Sequence, residues 1–171
     1  MSHNTVSITN EEIAGVAQQL GAALEQHKQK LVTAESCTGG WVGSVVTSVP
    51  GSSRWYDRGF ITYSNTSKRE MLGVSAELIA RYGAVSEQTA RAMVEGALDK
   101  SQAQFALSIT GIAGPGGGSE EKPVGLVWFA WSSKSRETRS RSCQFGGDRA
   151  NVRKHAVHHA LQGMLDYIDS L

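Results

Sequence analysis

Three short stretches hold the residues best able to do chemistry. They are Glu35-Ser36-Cys37-Thr38-Gly39-Gly40, Tyr63-Ser64-Asn65-Thr66-Ser67-Lys68, and the glycine-rich run from Thr110 through Gly111 and Gly114 to Gly118. In the first, Ser36 is a candidate nucleophile. Such a serine needs a tight turn that projects its oxygen and nearby N–H groups to receive developing negative charge. Gly39 and Gly40 allow close approach of the backbone, and a helix starting behind them adds positive potential. Two other readings stand for this loop. Ser36 and Thr38 can serve as helix caps, and Cys37 can be the nucleophile, its thiol pKa lowered by the helix N-terminus. No histidine lies in the three stretches to act as base for Cys37.

The second stretch offers a base. Lysine accepts a proton only when neutral, so burial or nearby positive charge must lower the pKa of Lys68. Arg69, next in sequence, is one source of such charge. The alternative is an ordinary solvated lysine on a helix face. Tyr63 is an auxiliary acid or hydrogen-bond donor, or else a partly buried core tyrosine. The glycine run reads as an anion-binding nest for a phosphate or oxyanion, with a surface loop as the alternative. It is not a Walker loop, because no Gly-Lys-Ser/Thr follows it, and it opens no clear helix. Arg149 and Arg153, four apart at a helix start, face the same way and suit a phosphate, or pair at the surface. His155, His158 and His159 share one helix, but no carboxylate or cysteine completes a zinc motif, so no metal is expected.

The elements that must position these residues follow from periodicity. Thr9 and Glu12 form a capping box, and Ile13, Val16, Ala17, Leu20 and Leu24 predict an amphipathic helix over 10–27. Residues 1–9 are expected to be flexible. Strands are predicted at 31–36, 59–64 and 105–110, each running into one of the three stretches. Helices are predicted over 41–49, from Asn65, over 76–82, and from an N-cap at Ser86. Residues 124–132 are almost continuously apolar, the mark of a strand buried on both faces, and 136–145 reads as its antiparallel partner. Asp148 then caps a last helix. The basic stretch Arg136, Arg139 and Arg141 reads as the solvated face of an edge strand. Strands alternating with helices predict an α/β fold with helices on both faces of a mixed, mostly parallel sheet. Ligands of such sheets sit outside the carboxyl ends of the strands, where all three stretches fall.

Composition narrows the function classes. The net charge of +1 over 171 residues gives no field for nucleic acid or membrane. No apolar run reaches membrane-span length, and the polar N-terminus carries no signal core. With two cysteines in no zinc spacing, a cytoplasmic protein of one domain, 1–171, is expected.

The motifs taken together resemble the CinA C-terminal domain family. The matching stretches are AESCTGG (34–40), PGSS (50–53), GFITYSNTSK (59–68) with LGV (72–74), GAVSE (83–87), TGIAGPGGGSEEKPVG (110–125) and GDRANVR (147–153). The resemblance implies a three-layer α/β/α sandwich. It implies hydrolysis of nicotinamide mononucleotide to nicotinic acid mononucleotide and ammonia by a Ser36 nucleophile and a Lys68 base, in pyridine nucleotide recycling. Tyr63 joins these two as a catalytic candidate. Glu35, Cys37, Thr38, Gly39, Gly40, Thr110, Gly111, Gly114, Arg149 and Arg153 are expected around the substrate, with Thr110 and the 36–40 N–H groups at the oxyanion. That chemistry needs no metal or redox cofactor. A homo-oligomer, by preference a dimer, is the expected assembly. The alternative is a catalytically silent nucleotide-binding module with a regulatory role.

Overall fold

The computed structural model describes residues 7–170. The chain runs α1 (Asn10–Gln26), β1 (Leu31–Glu35), α2 (Trp41–Thr47), a 3₁₀ turn (Ser52–Arg54), β2 (Tyr56–Ile61), α3 (Asn65–Leu72), α4 (Ala76–Tyr82), α5 (Glu87–Asp99), β3 (Phe105–Gly111), β4 (Leu126–Ser133), β5 (Arg136–Gln144) and α6 (Arg149–Asp169). The five strands lie in the order β2-β1-β3-β4-β5. β1 is parallel to β2 and β3, whereas β4 is antiparallel to both its neighbours. The sheet is therefore mixed. Its pairings divide evenly between parallel and antiparallel, while every strand except β4 runs the same way.

Alternation along the strands splits the core in two. Leu31, Phe105, Leu107, Ile109, Val127 and Phe129 face α1, α2 and α6. Val32, Ala34, Ala106 and Ala130 face α3, α4 and α5. Large aliphatic and aromatic side chains fill the first side. The small residues of the second let α5 lie close to the strands. Gly96 of α5 meets the Leu72 carbonyl of α3 so closely that a Cβ there would overlap it. This contact holds α3, and with it Lys68, against α5.

Local chemistry accounts for the boundaries. Thr9 and Glu12 form the reciprocal cap of α1, and Ile8 packs on the core. Residues 8 and 9 are thus tied down, unlike the flexible start expected over 1–9, of which 1–6 fall outside the described residues. The second strand was expected at 59–64 but lies three residues earlier. Leu31 pairs with Tyr56, and the half-exposed start at Asp57 and Arg58 hides the strand from apolar patterning. Thr62 ends it by donating its N–H to Glu35 O at 2.8 Å. α3 begins at Asn65 as expected, and Ser64 caps it: its oxygen accepts from Ser67 N at 3.0 Å, and the Ser67 hydroxyl accepts from Ser64 N at 3.1 Å.

Candidate active site

β1 delivers Ser36 to the carboxyl edge of the sheet, and the chain must turn at once into α2. Glu35 holds that turn. Its carboxylate is 2% exposed and accepts from Thr38 Oγ1 at 2.6 Å, Val42 N at 2.9 Å and Gly43 N at 3.1 Å. These N–H groups belong to the first turn of a helix and have no partner within it, so a carboxylate satisfies them with favourable charge. Ser36 N–H donates to Ile109 O and Gly39 N–H to Ser36 O, at 3.0 and 3.1 Å. Among the described residues, the N–H groups of Cys37 and Thr38 donate to no carbonyl. The turn closes through left-handed backbone at Gly39 and Gly40, and a Cβ on Gly40 would come 2.8 Å from Ile61 Cδ1.

Lys68 reaches the same point from α3. Its side chain is buried at 1% exposure, and Nζ lies 3.0 Å from Ser36 Oγ and 2.8 Å from Thr62 O. Among the described residues no carboxylate pairs with it. Burial away from water lowers its pKa below the ordinary lysine value; the charge of a Cys37 thiolate would act the other way. Burial, not Arg69, is thus the cause that makes neutrality accessible. Cys37 is shifted in the opposite sense from the one expected. Desolvation outweighs the backbone N–H at Cys37 and the charge of Arg153, and the thiol is pushed up to about 11. A thiol in that state is a poor nucleophile at neutral pH.

Ser36, Cys37, Tyr63, Lys68, Thr110, Gly111 and Arg149 line one cavity of about 260 Å³, together with Ala84, Val85 and Ala113. Tyr63 stands at its mouth, 63% exposed. Arg149 donates to Tyr63 Oη at 3.1 Å and to Gly114 O at 2.8 Å. The structure places the other expected contacts elsewhere. Glu35 and Thr38 bond each other behind the turn. Arg153 lies under it, donating to Cys37 O at 3.0 Å and Thr38 O at 3.2 Å, with its guanidinium over the Trp41 ring. The two arginines therefore do not converge on one anion. Thr110 Oγ1 donates to Ala84 O at 2.7 Å, so its hydrogen is not free for an oxyanion. Gly114 offers the cavity's arginine a carbonyl rather than an anion-binding N–H.

Sequence reasoning assigned no role to Ala84, Val85 or the Thr62 carbonyl. The GAVSE stretch carried the only available signal for the first two. Backbone contacts such as that of Thr62 leave no residue-type signature.

This arrangement is a hydroxyl and an amine in contact, shielded from water and open to one side. The profile of the CinA C-terminal domain matches residues 13–168. The chain belongs to the CinA C-terminal domain family. It is 50% identical over 155 residues to the protein named nicotinamide-nucleotide amidohydrolase PncC in Escherichia coli (strain K12), covering 91% of this chain and 94% of that one. A Pseudomonas putida protein of the same name is 47% identical, with 91% and 96% covered. The crystal structure of competence/damage inducible protein CihA from Agrobacterium tumefaciens superposes with a TM-score of 0.89 at 43% identity, covering 92% of this chain and 96% of that chain. That protein thus shares this three-layer architecture. No helix among the described residues is long and apolar enough to cross a membrane.

Proposed function

We propose that the chain is a nicotinamide-nucleotide amidohydrolase that converts nicotinamide mononucleotide to nicotinic acid mononucleotide and ammonia, with Ser36 as nucleophile and Lys68 as base. The observation that carries this reading is the 3.0 Å contact between Lys68 Nζ and Ser36 Oγ inside a cavity where the amine has no carboxylate partner. The relatives named for that activity support the substrate class.

Neutral Lys68 takes the Ser36 proton as Oγ attacks the carboxamide carbon. The N–H groups of Cys37 and Thr38 receive the oxyanion. The Lys68 ammonium returns its proton to the departing nitrogen, the C–N bond breaks, and ammonia leaves. Lys68 then takes a proton from water as the water attacks the acyl ester. The ester C–O bond breaks, and Ser36 recovers its proton.

The cavity, at about 260 Å³, is smaller than most ligand pockets, which run to roughly 300–1,000 Å³. The pyridine carboxamide therefore enters it, and the 5′-phosphate stays at the rim with Arg149 and Tyr63. A reaction of this kind serves the recycling of pyridine nucleotides. Ammonia release from nicotinamide mononucleotide and nicotinamide riboside, with chelator present, tests the reading. Loss of the phosphate is expected to lower kcat/KM by about 10- to 100-fold, the scale of a charge-assisted contact. No ammonia from the nucleotide, or equal rates for both compounds, would overturn it.

A further inference from the structure

The basic stretch on β5 takes no part in the catalytic cavity. Arg139 and Arg141 stand on one face of β5, two residues apart, a spacing of roughly 7 Å along a strand. That face turns towards α6, because their ladder partners Trp131 and Phe129 lie in the core beneath α6. Between β5 and α6 lies a second cavity of about 240 Å³. Arg139 and Arg141 line one wall, and His159, Gln162 and Asp166 line the other.

Among the described residues neither arginine has a carboxylate partner in a salt bridge. Arg139 only stacks over the Tyr167 ring, 5.4 Å from its centroid. Asp166 already accepts from Gln162 Nε2 at 2.9 Å and retains further lone pairs. The floor is fixed, since the Trp131 indole donates to Ala160 O at 2.9 Å.

We propose that this groove binds a sugar phosphate, its phosphate held by Arg139 and Arg141 and a hydroxyl donating to Asp166. Paired guanidiniums match phosphate oxygens in fork geometry. The facing carboxylate repels a ligand that is anionic throughout and accepts a hydroxyl at its neutral end, as acidic residues do with ribose elsewhere. The cavity shares no lining residue with the catalytic one, so the proposal stands apart from the amidohydrolase reading. The helix α6 spans both sites, with Arg149 at one end and Asp166 near the other.

His159 gives a local readout. It packs 4.6 Å from the Phe129 ring centroid with Nε2 3.5 Å from Cys143 Sγ. Burial first, then Arg141, hold its pKa at about 4, with His158 adding to the effect and Asp166 opposing it. A phosphate on Arg141 offsets that charge and favours protonated His159.

The test is NMR titration of the His159 imidazole in the full chain with ribose 5-phosphate, inorganic phosphate and ribose. Ribose 5-phosphate is expected to shift His159 saturably and raise its midpoint by about one pH unit, a tenfold preference for the protonated ring. Inorganic phosphate should bind roughly tenfold more weakly, and ribose should not bind. The response should vanish in Arg139→Gln/Arg141→Gln, with an unchanged circular dichroism spectrum, and persist in Arg149→Ala. A silent His159, a response surviving the double substitution, or one lost with Arg149 overturns the site. Equal binding of inorganic phosphate overturns the role of Asp166.

Discussion

The Ser36–Lys68 pair and the Tyr63–Arg149 pair line one cavity but are held in opposite ways. Ser36 and Lys68 are 7% and 1% exposed, and each is fixed by buried backbone: Ser36 by Ile109, Lys68 by Thr62. Tyr63 is 63% exposed, and Arg149 reaches it across the mouth of the cavity. The buried pair can change its proton affinity because water is excluded. The rim pair keeps its hydration and is free to meet a charged ligand. On the proposed reading, proton transfer and ligand recognition fall in regions of different dielectric, and substitutions should separate them.

The largest effect should come from Ser36→Ala. On this account the folded variant loses about 10³-fold or more in kcat for ammonia release, the scale of a removed nucleophile. Lys68→Met should follow at about 10²–10⁴-fold, the range of a general base. This second variant also tests burial. The depressed pKa of Lys68 means the unfolded chain binds more protons between the folded and the ordinary lysine values. The wild-type stability contribution is therefore full above the unfolded value and lost as pH falls through the folded one. Lys68→Met should be the more stable protein at neutral pH in urea unfolding, with its advantage shrinking as pH rises.

Arg149→Ala should act on the other region. It is expected to raise KM for nicotinamide mononucleotide by about 10- to 100-fold with kcat changed far less, since it removes a contact made equally before and during reaction. A kcat loss as large as that of Lys68→Met would erase the distinction between rim and floor. Cys37→Ala should do least, within roughly tenfold of wild type, because a thiol held at about 11 is protonated in assay. Loss there equal to that of Ser36→Ala would move the nucleophile to the thiol.

How legible this site was in the sequence differs between the same two regions. The caps at Thr9, Ser86 and Asp148 and the apolar run of β4 were readable, because each depends on neighbours in the chain. The carboxyl-edge location of the three stretches followed from the alternation of strands and helices. The tasks of Glu35 and Arg153 did not follow. Arg153 binds the carbonyls of Cys37 and Thr38 from more than a hundred residues away, and Glu35 turns inward to cap α2. Both look from sequence like ligand-binding charges, and only packing turns them into supports for the turn that carries Ser36. Cys37 failed for a related reason: the helix N-terminus was visible in sequence, but the stronger effect of burial was not.

The central claim is that a lysine neutralised by burial activates Ser36. The pH dependence of kcat/KM for ammonia release tests it most directly, measured from about pH 6 to about pH 10 across the range in which a depressed lysine titrates. The account predicts a rate that rises with pH to a plateau, with its midpoint below the ordinary lysine value of 10.5. A rate that is flat across the range, or that falls as lysine loses its proton, would contradict it.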